Sequence, residues 1–170
     1  MQGTISRRGS RHRSIDVSLP PFQHLLDHHQ RDVYRLCAAL VGPDEADDCF
    51  QETYLAALRA YPGLRSATNL RSWLLTIAHH KALDALRARR RHALGANRFE
   101  DAGPPDREPP DGTLWRAVRA LPTKQREAVA LRFAGDLAYA EVGAAIGCSE
   151  EAARRSVHEG LTKLREGWSR

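Results

Sequence analysis

The sequence has no apolar run near the ~20 residues that a membrane-spanning helix needs, so no membrane insertion is expected. It has no Gly-rich phosphate loop and no nucleophile–base motif, so an enzyme is not expected. Its 3 cysteines, Cys37, Cys49 and Cys148, form no CxxC pair. An odd count at wide spacing is not a disulfide framework. Such thiols act as small hydrophobes in a reducing compartment. The pairs His28–His29 and His79–His80 lack metal-ligand spacing, because adjacent helical residues point about 100° apart; neither metal nor cofactor is expected. Strand-like alternation is also missing, which leaves an all-α chain. The N-terminus lacks the apolar segment of a secretory signal. With Arg7, Arg8, Arg11 and Arg13 among Gly and Ser, residues 1–19 read as a disordered basic tail. The alternative is a tail that adds non-specific attraction to DNA.

Charge is abundant. Lys and Arg total 26 against 21 Asp and Glu, a net charge of +5 and a pI of about 9.5. That surplus suits a nucleic-acid partner. Helical stripes fill residues 20–92. The first is Phe22, Leu25/Leu26, Val33, Leu36/Cys37 and Leu40, stopped by Gly42-Pro43. The second is Ala46, Cys49/Phe50, Thr53/Tyr54, Ala57/Leu58 and Tyr61, stopped by Pro62-Gly63. The third is Leu70, Leu74, Ala78, Ala82 and Leu86. Residues 93–112 then lose all periodicity. Pro and Gly are dense there, and Glu100, Asp101, Asp106, Glu108 and Asp111 make the stretch acidic. This is a flexible acidic, Pro-rich linker. Stripes resume over 113–170: Leu114, Ala117/Val118 and Leu121; Ala128/Val129 and Arg132/Phe133; Ala138, Val142 and Ala145/Ile146; and Ala153, Val157, Leu161, Leu164 and Trp168. The fold class is therefore two small helical domains joined by the linker.

The second domain carries the pattern of a helix-turn-helix over 137–165. A short helix meets Gly147-Cys148-Ser149, and a longer helix follows, with Ser149 placed to cap it. Ala144 and Ala145 are small enough for close helix packing near the turn. The start of the long helix offers Glu150, Glu151, Arg154, Arg155 and Ser156. In such motifs these positions reach base edges or phosphates in the major groove.

In the first domain, the third helix ends in a basic run that includes Lys81, Arg87, Arg89, Arg90 and Arg91, after Arg71, Trp73, His79 and His80. A ring beside basic groups can stack an unpaired base; the stripe position of Trp73 fits core packing equally well. The second helix opens with Asp44, Glu45, Asp47, Asp48, Gln51 and Glu52. Acids suit a helix N-terminus. Asp48 and Glu52, four apart, share one face, which would repel phosphate and suits a protein partner.

Four segments in order now resemble one family, the extracytoplasmic-function sigma factors of bacterial RNA polymerase. They are PDEADDCFQETYLAALRAY (43–61), NLRSWLLTIAHHKALDALRARRR (69–91), LPTKQREAVALRF (121–133) and YAEVGAAIGCSEEAARRSVHEGLTKLRE (139–166). The resemblance implies an alternative sigma factor, cytoplasmic and non-enzymatic. It would bind core RNA polymerase, direct it to promoters and open the DNA. Residues 20–92 would form the polymerase-binding and promoter-melting domain, with Asp48, Gln51 and Glu52 on the polymerase clamp. The loop 62–69, with Arg65, Ser66 and Asn69, would hold a flipped base of the melted element. Arg71, Trp73, His79, His80, Lys81 and Arg87 would follow that single strand. Ser149, Arg154, Arg155, Ser156 and His158 would contact the duplex of the second element. An anti-sigma factor is implied as a further partner. His80 stands where the family often has Asn, and Glu159 and Gly160 replace a more usual basic residue and Ala. The glycine is expected to cost its helix about 1 kcal/mol. The competing reading, a stand-alone helix-turn-helix DNA-binding regulator, leaves the acidic face and the Trp-bearing basic helix without a use.

Overall fold

The computed structural model describes residues 19–66, 68–95 and 112–168. The expected basic tail and most of the expected linker lie outside the described residues. Helix α1 spans Phe22–Val41 and α2 spans Pro43–Ala60, joined through Gly42. Gly42 has φ of 98°, a conformation that favours glycine, and its N–H donates to the Ala38 carbonyl at 3.0 Å. Pro43 then opens α2, where a missing N–H costs nothing, and Asp44 and Glu45 complement the helix dipole. One Gly-Pro pair thus ends one helix and starts the next.

A 3-10 turn, Tyr61–Gly63, closes α2, and α3 runs over Leu70–Gly95. The Tyr61 hydroxyl donates to the Pro20 carbonyl at 2.6 Å, and its ring meets Phe22 edge-on at 5.2 Å. This ties the start of α1 to the end of α2. The second group comprises α4 (Gly112–Ala120), α5 (Thr123–Phe133), α6 (Tyr139–Ile146) and α7 (Glu150–Trp168). No strand occurs among the described residues.

The two helix groups share a core. Leu36, Leu40, Leu74 and Leu75 are fully buried, and the same cluster continues through Ala128, Ala130, Leu131 and Leu137. Helix α5 lies at the junction, in contact with α1, α3, α4, α6 and α7. Five consecutive residues, Glu127 to Leu131, are buried. Val129 faces a second cluster with Val118, Leu121 and Leu164, while Ala128 and Leu131 face the shared core. A helix covered all round has no single stripe. Its expected stripe position Phe133 is accordingly 46% exposed, beyond the covered middle of the helix. Leu58 is 52% exposed and Leu114 38%. Leu58 sits about 100° round the helix from the buried Ala57, so the stripe drawn through both was wider than the buried face of α2.

Close packing around the turn at Gly147 depends on Gly143. A Cβ there would lie 2.8 Å from the Cys148 carbonyl oxygen and 3.1 Å from the Ser149 carbonyl carbon. The expected small neighbour Ala144 is exposed instead. Gly160 has a similar use: a Cβ there would lie 2.8 Å from Cγ2 of the buried Val129. The propensity cost of Gly160 is therefore offset by the approach of α7 to α5.

Gly143→Ala is expected to destabilise the fold by about 1–3 kcal/mol, the usual cost of overpacking. Gly167→Ala, whose Cβ would meet nothing within 4 Å, is expected not to destabilise. Urea unfolding midpoints of the two variants measure the difference.

Candidate nucleic-acid interface

Gly147 ends α6 in the left-handed conformation, with φ of 74°, a standard helix C-terminus. The Ser149 hydroxyl then accepts the Ala152 N–H at 3.2 Å and caps α7. The first turns of α7 project Arg154, Arg155 and His158 into solvent, with Ser156 half-buried. The Arg154 guanidinium donates to Glu150 at 2.7 Å and lies 4.8 Å from the centre of the Tyr139 ring. The carboxylate and the ring together seat the guanidinium at the start of α7. Glu159 does not point at the Arg154 face; it accepts from Gln125 at 3.0 Å.

On α2, Asp48, Gln51 and Glu52 are all exposed. Leu55 (46% exposed) and Leu58 extend the same surface. Leu55 falls outside the stripe drawn for α2, and a single exposed leucine gives no signal in the sequence. Beside these residues an open cleft of about 400 Å³ runs between α2 and α3. Lys81 Nζ lies 3.5 Å from Glu52 and Arg89 Nη1 lies 3.3 Å from Glu45 across it.

The expected strand-binding residues divide. Arg65, Ser66, His80 and Arg87 are exposed. Trp73 is half-buried, its ring 6.2 Å from that of Tyr61. Asn69, Arg71 and His79 instead meet the C-terminal helices. Asn69 Nδ2 donates to Glu141 Oε1 at 2.8 Å. Arg71 Nε donates to Asp32 Oδ2 at 2.9 Å, and its Nη2 donates to the Gly135 carbonyl at 2.7 Å. His79, 1% exposed, has Nε2 at 3.1 Å from Oε2 of the buried Glu127. Periodicity places Arg71 and His79 on α3 and Asn69 in the loop before it, but does not reveal which helices they meet. Among the described residues no cluster of His, Cys, Asp and Glu could hold a metal ion.

The family profile described as Sigma-70 region 2 matches residues 25–92, and that described as Sigma-70, region 4 matches residues 111–164. The RNA polymerase sigma factor CarQ of Myxococcus xanthus is 34% identical over 158 residues, covering 89% of this chain and 91% of that protein. The chain belongs to the sigma-70 family, in its extracytoplasmic-function group. It is an alternative sigma factor, a protein of transcription initiation. The group member ShbA of Streptomyces griseus is 30% identical over 176 residues, covering 91% of each chain. Among solved structures, the sigma factor RpoE in complex with the anti-sigma factor NepR from Bartonella quintana shares the fold. The TM-score is 0.70 at 23% identity, over 85% of this chain and 94% of that one. CnrH in complex with the cytosolic domain of CnrY gives 0.67 at 21%, over 87% of each. Among the described residues of this sigma factor, no helix is long and apolar enough to cross a membrane.

The seam has a pH signature. The Asn69 hydrogen bond is the largest influence on Glu141. With the Ala138 N–H, the Ser72 side chain and the nearby Arg71, it outweighs partial burial and holds the carboxyl below its ordinary value of 4.5. A lowered folded value means that the stabilisation is complete above 4.5 and is lost as pH falls through the lower value. Urea midpoints measured from neutral pH to below 4.5 should therefore fall further for the native chain than for Glu141→Gln. Equal falls would remove Glu141 from the seam's energetics.

Proposed function

We propose that the sigma factor works through three surfaces, one for each task of initiation in the cytoplasm, and contributes no catalytic centre of its own. The exposed acids Asp48 and Glu52 and the amide of Gln51, with Leu55 and Leu58 beside them, dock on core RNA polymerase. Acids steer the encounter and the apolar pair supplies area removed from water. The start of α7 enters the major groove of the upstream promoter element. There Arg154 and Arg155 read a base edge or hold a phosphate, with Ser149, Ser156 and His158 alongside.

The loop 62–69 and the Arg71-to-Arg87 face of α3 hold the melted strand. Extruding a base costs a few kcal/mol, which a pocket for the base and cations along the strand offset. Arg65, Ser66, His80, Lys81 and Arg87 are available for this in the closed arrangement. Arg71 and His79 become available only when the C-terminal helices move away, and the exposed Asn69 only when it gives up Glu141, so polymerase and promoter select an opened form. An anti-sigma factor that holds the helix groups together would act on the same equilibrium. The single observation that carries this reading is that two separate faces are both exposed, the Asp48–Glu52 face of α2 and the Arg154-Arg155 pair near the start of α7. A stand-alone DNA regulator would need only the second.

In vitro transcription with core polymerase and a genomic DNA library tests the reading. Discrete transcripts that require the protein are expected. Neither transcripts nor a complex with core polymerase would favour the stand-alone regulator. Asp48→Arg and Glu52→Arg are expected to abolish polymerase binding while leaving the fold intact, since both side chains are exposed. Normal binding by a folded variant would remove the acids from the docking face. Arg154→Ala is expected to weaken upstream-element binding by about 1–3 kcal/mol with polymerase binding unchanged; unchanged promoter use would assign that element to another residue.

A further inference from the structure

The turn that follows α5 presents three carbonyl oxygens to the first helix group. Arg71 Nη2 donates to the Gly135 carbonyl at 2.7 Å, and its Nη1 donates to the Asp136 carbonyl at 3.4 Å. Arg35, on α1, donates from Nη2 to the Phe133 carbonyl at 3.4 Å. The Gly135 bond is short; the two longer contacts are weaker and hold mainly charge against dipole. Helix α5 ends at Phe133, and the last carbonyls of a helix carry its partial negative charge. Asp136 adopts a left-handed φ of 48°, a conformation that aspartate tolerates better than most residues. Two arginines from two different helices thus converge on one small group of oxygens.

Part of this arrangement belongs to the first helix group alone. Arg71 Nε donates to Asp32 Oδ2 at 2.9 Å. Asp32 and Arg35 stand three apart on α1, and residues at that spacing share a helix face. The Asp32 anchor does not depend on the C-terminal helices. It leaves both terminal nitrogens of Arg71 directed at the place that the turn fills. Guanidinium donors converging on clustered oxygens suit a phosphate, whose oxygens are acceptors only and carry a full negative charge. The carbonyl turn offers the same acceptors with partial charge.

We propose that Arg35 and Arg71 together hold one phosphate of the melted promoter strand, in the place that the turn between α5 and α6 occupies in the closed arrangement. The ligand is a phosphodiester of single-stranded DNA, and Arg35 brings α1 into promoter binding. This rests on the strand-holding role proposed for α3 and extends it to a second helix. Turn and strand then compete for the same donors. A captured phosphate disfavours closure, and closure disfavours capture, by the same free energy.

The two uses that Arg35 could have predict opposite signs. An Arg35 that only holds the turn is lost from the closed form alone. Its removal then loosens the closed arrangement, uncovers α3, and leaves strand binding unchanged or tighter. An Arg35 that also takes a phosphate is lost from the strand complex, and its removal weakens strand binding. Arg35 is exposed and its bond to Phe133 is long, so Arg35→Ala keeps the fold.

The test uses the full chain assembled with core polymerase. The template is a promoter recovered by in vitro transcription, with its melted segment held open by mismatches. Neutral methylphosphonate linkages replace the phosphates of that strand one at a time. The native chain should lose affinity severalfold at a few linkages. Arg35→Ala should bind the unmodified template severalfold more weakly than the native chain. One of the sensitive linkages should then matter markedly less to the variant, while the others keep their effect. Arg35→Lys, which keeps the charge and loses the fork, should fall between the two. Binding by Arg35→Ala as tight as the native chain's, or tighter, would overturn the phosphate role and leave Arg35 in the seam alone. The same conclusion would follow if every linkage kept its full effect in the variant. A native complex that binds fully paired and mismatched templates equally well would instead overturn the strand-holding role of α3, and this inference with it.

Discussion

The seam between the two helix groups is the constraint on which this structure rests. Arg71 concentrates it: one guanidinium serves Asp32 on α1 and the Gly135 carbonyl after α5. The fixed fork of an arginine suits this, since several donors can be satisfied without moving the side chain. Nearby, His79 and Glu127 bury two polar groups against each other. Neither could be buried alone without a cost of several kcal/mol. The polar contacts therefore fix how the helix groups meet, while the continuous core through Leu36, Leu74 and Leu131 supplies the area removed from water.

That arrangement has a functional price: residues expected on a single DNA strand are held by the chain's own C-terminal helices. It also leaves the acidic face of α2 and the start of α7 open to solvent. Under the proposed function, the docking and duplex-reading faces are open in this arrangement, while Arg71 and His79 wait on its opening. A population shift between the two forms is a natural control point, because any ligand that favours one form changes access to α3.

Much of the fold was legible because helical signals are local. Gly42-Pro43, Pro62-Gly63, Gly147 and Ser149 end or cap their helices in the expected manner. The paired positions drawn for α2 overreached at Leu58, since a stripe records which residues are apolar and not how wide the covering neighbour is. On α5 the pattern failed more completely. A helix enclosed by five neighbours carries Glu127 in its buried stretch, and a buried acid looks like a surface position until His79 is found beside it. Gly160 looked like a defect in its helix for the same reason: its use lies in Val129, on another helix.

The sequence by itself determined the helices, the Gly-Pro and Gly-Ser junctions between them, the acidic opening of α2 and the Arg154-Arg155 pair near the start of α7. Each depends on backbone sterics, capping and charge within a few neighbouring residues. Only the tertiary structure decided that Asn69, Arg71 and His79 face Glu141, Gly135 and Glu127. Those meetings join residues far apart in the chain, and their energy exists only once apolar burial has brought the helices together.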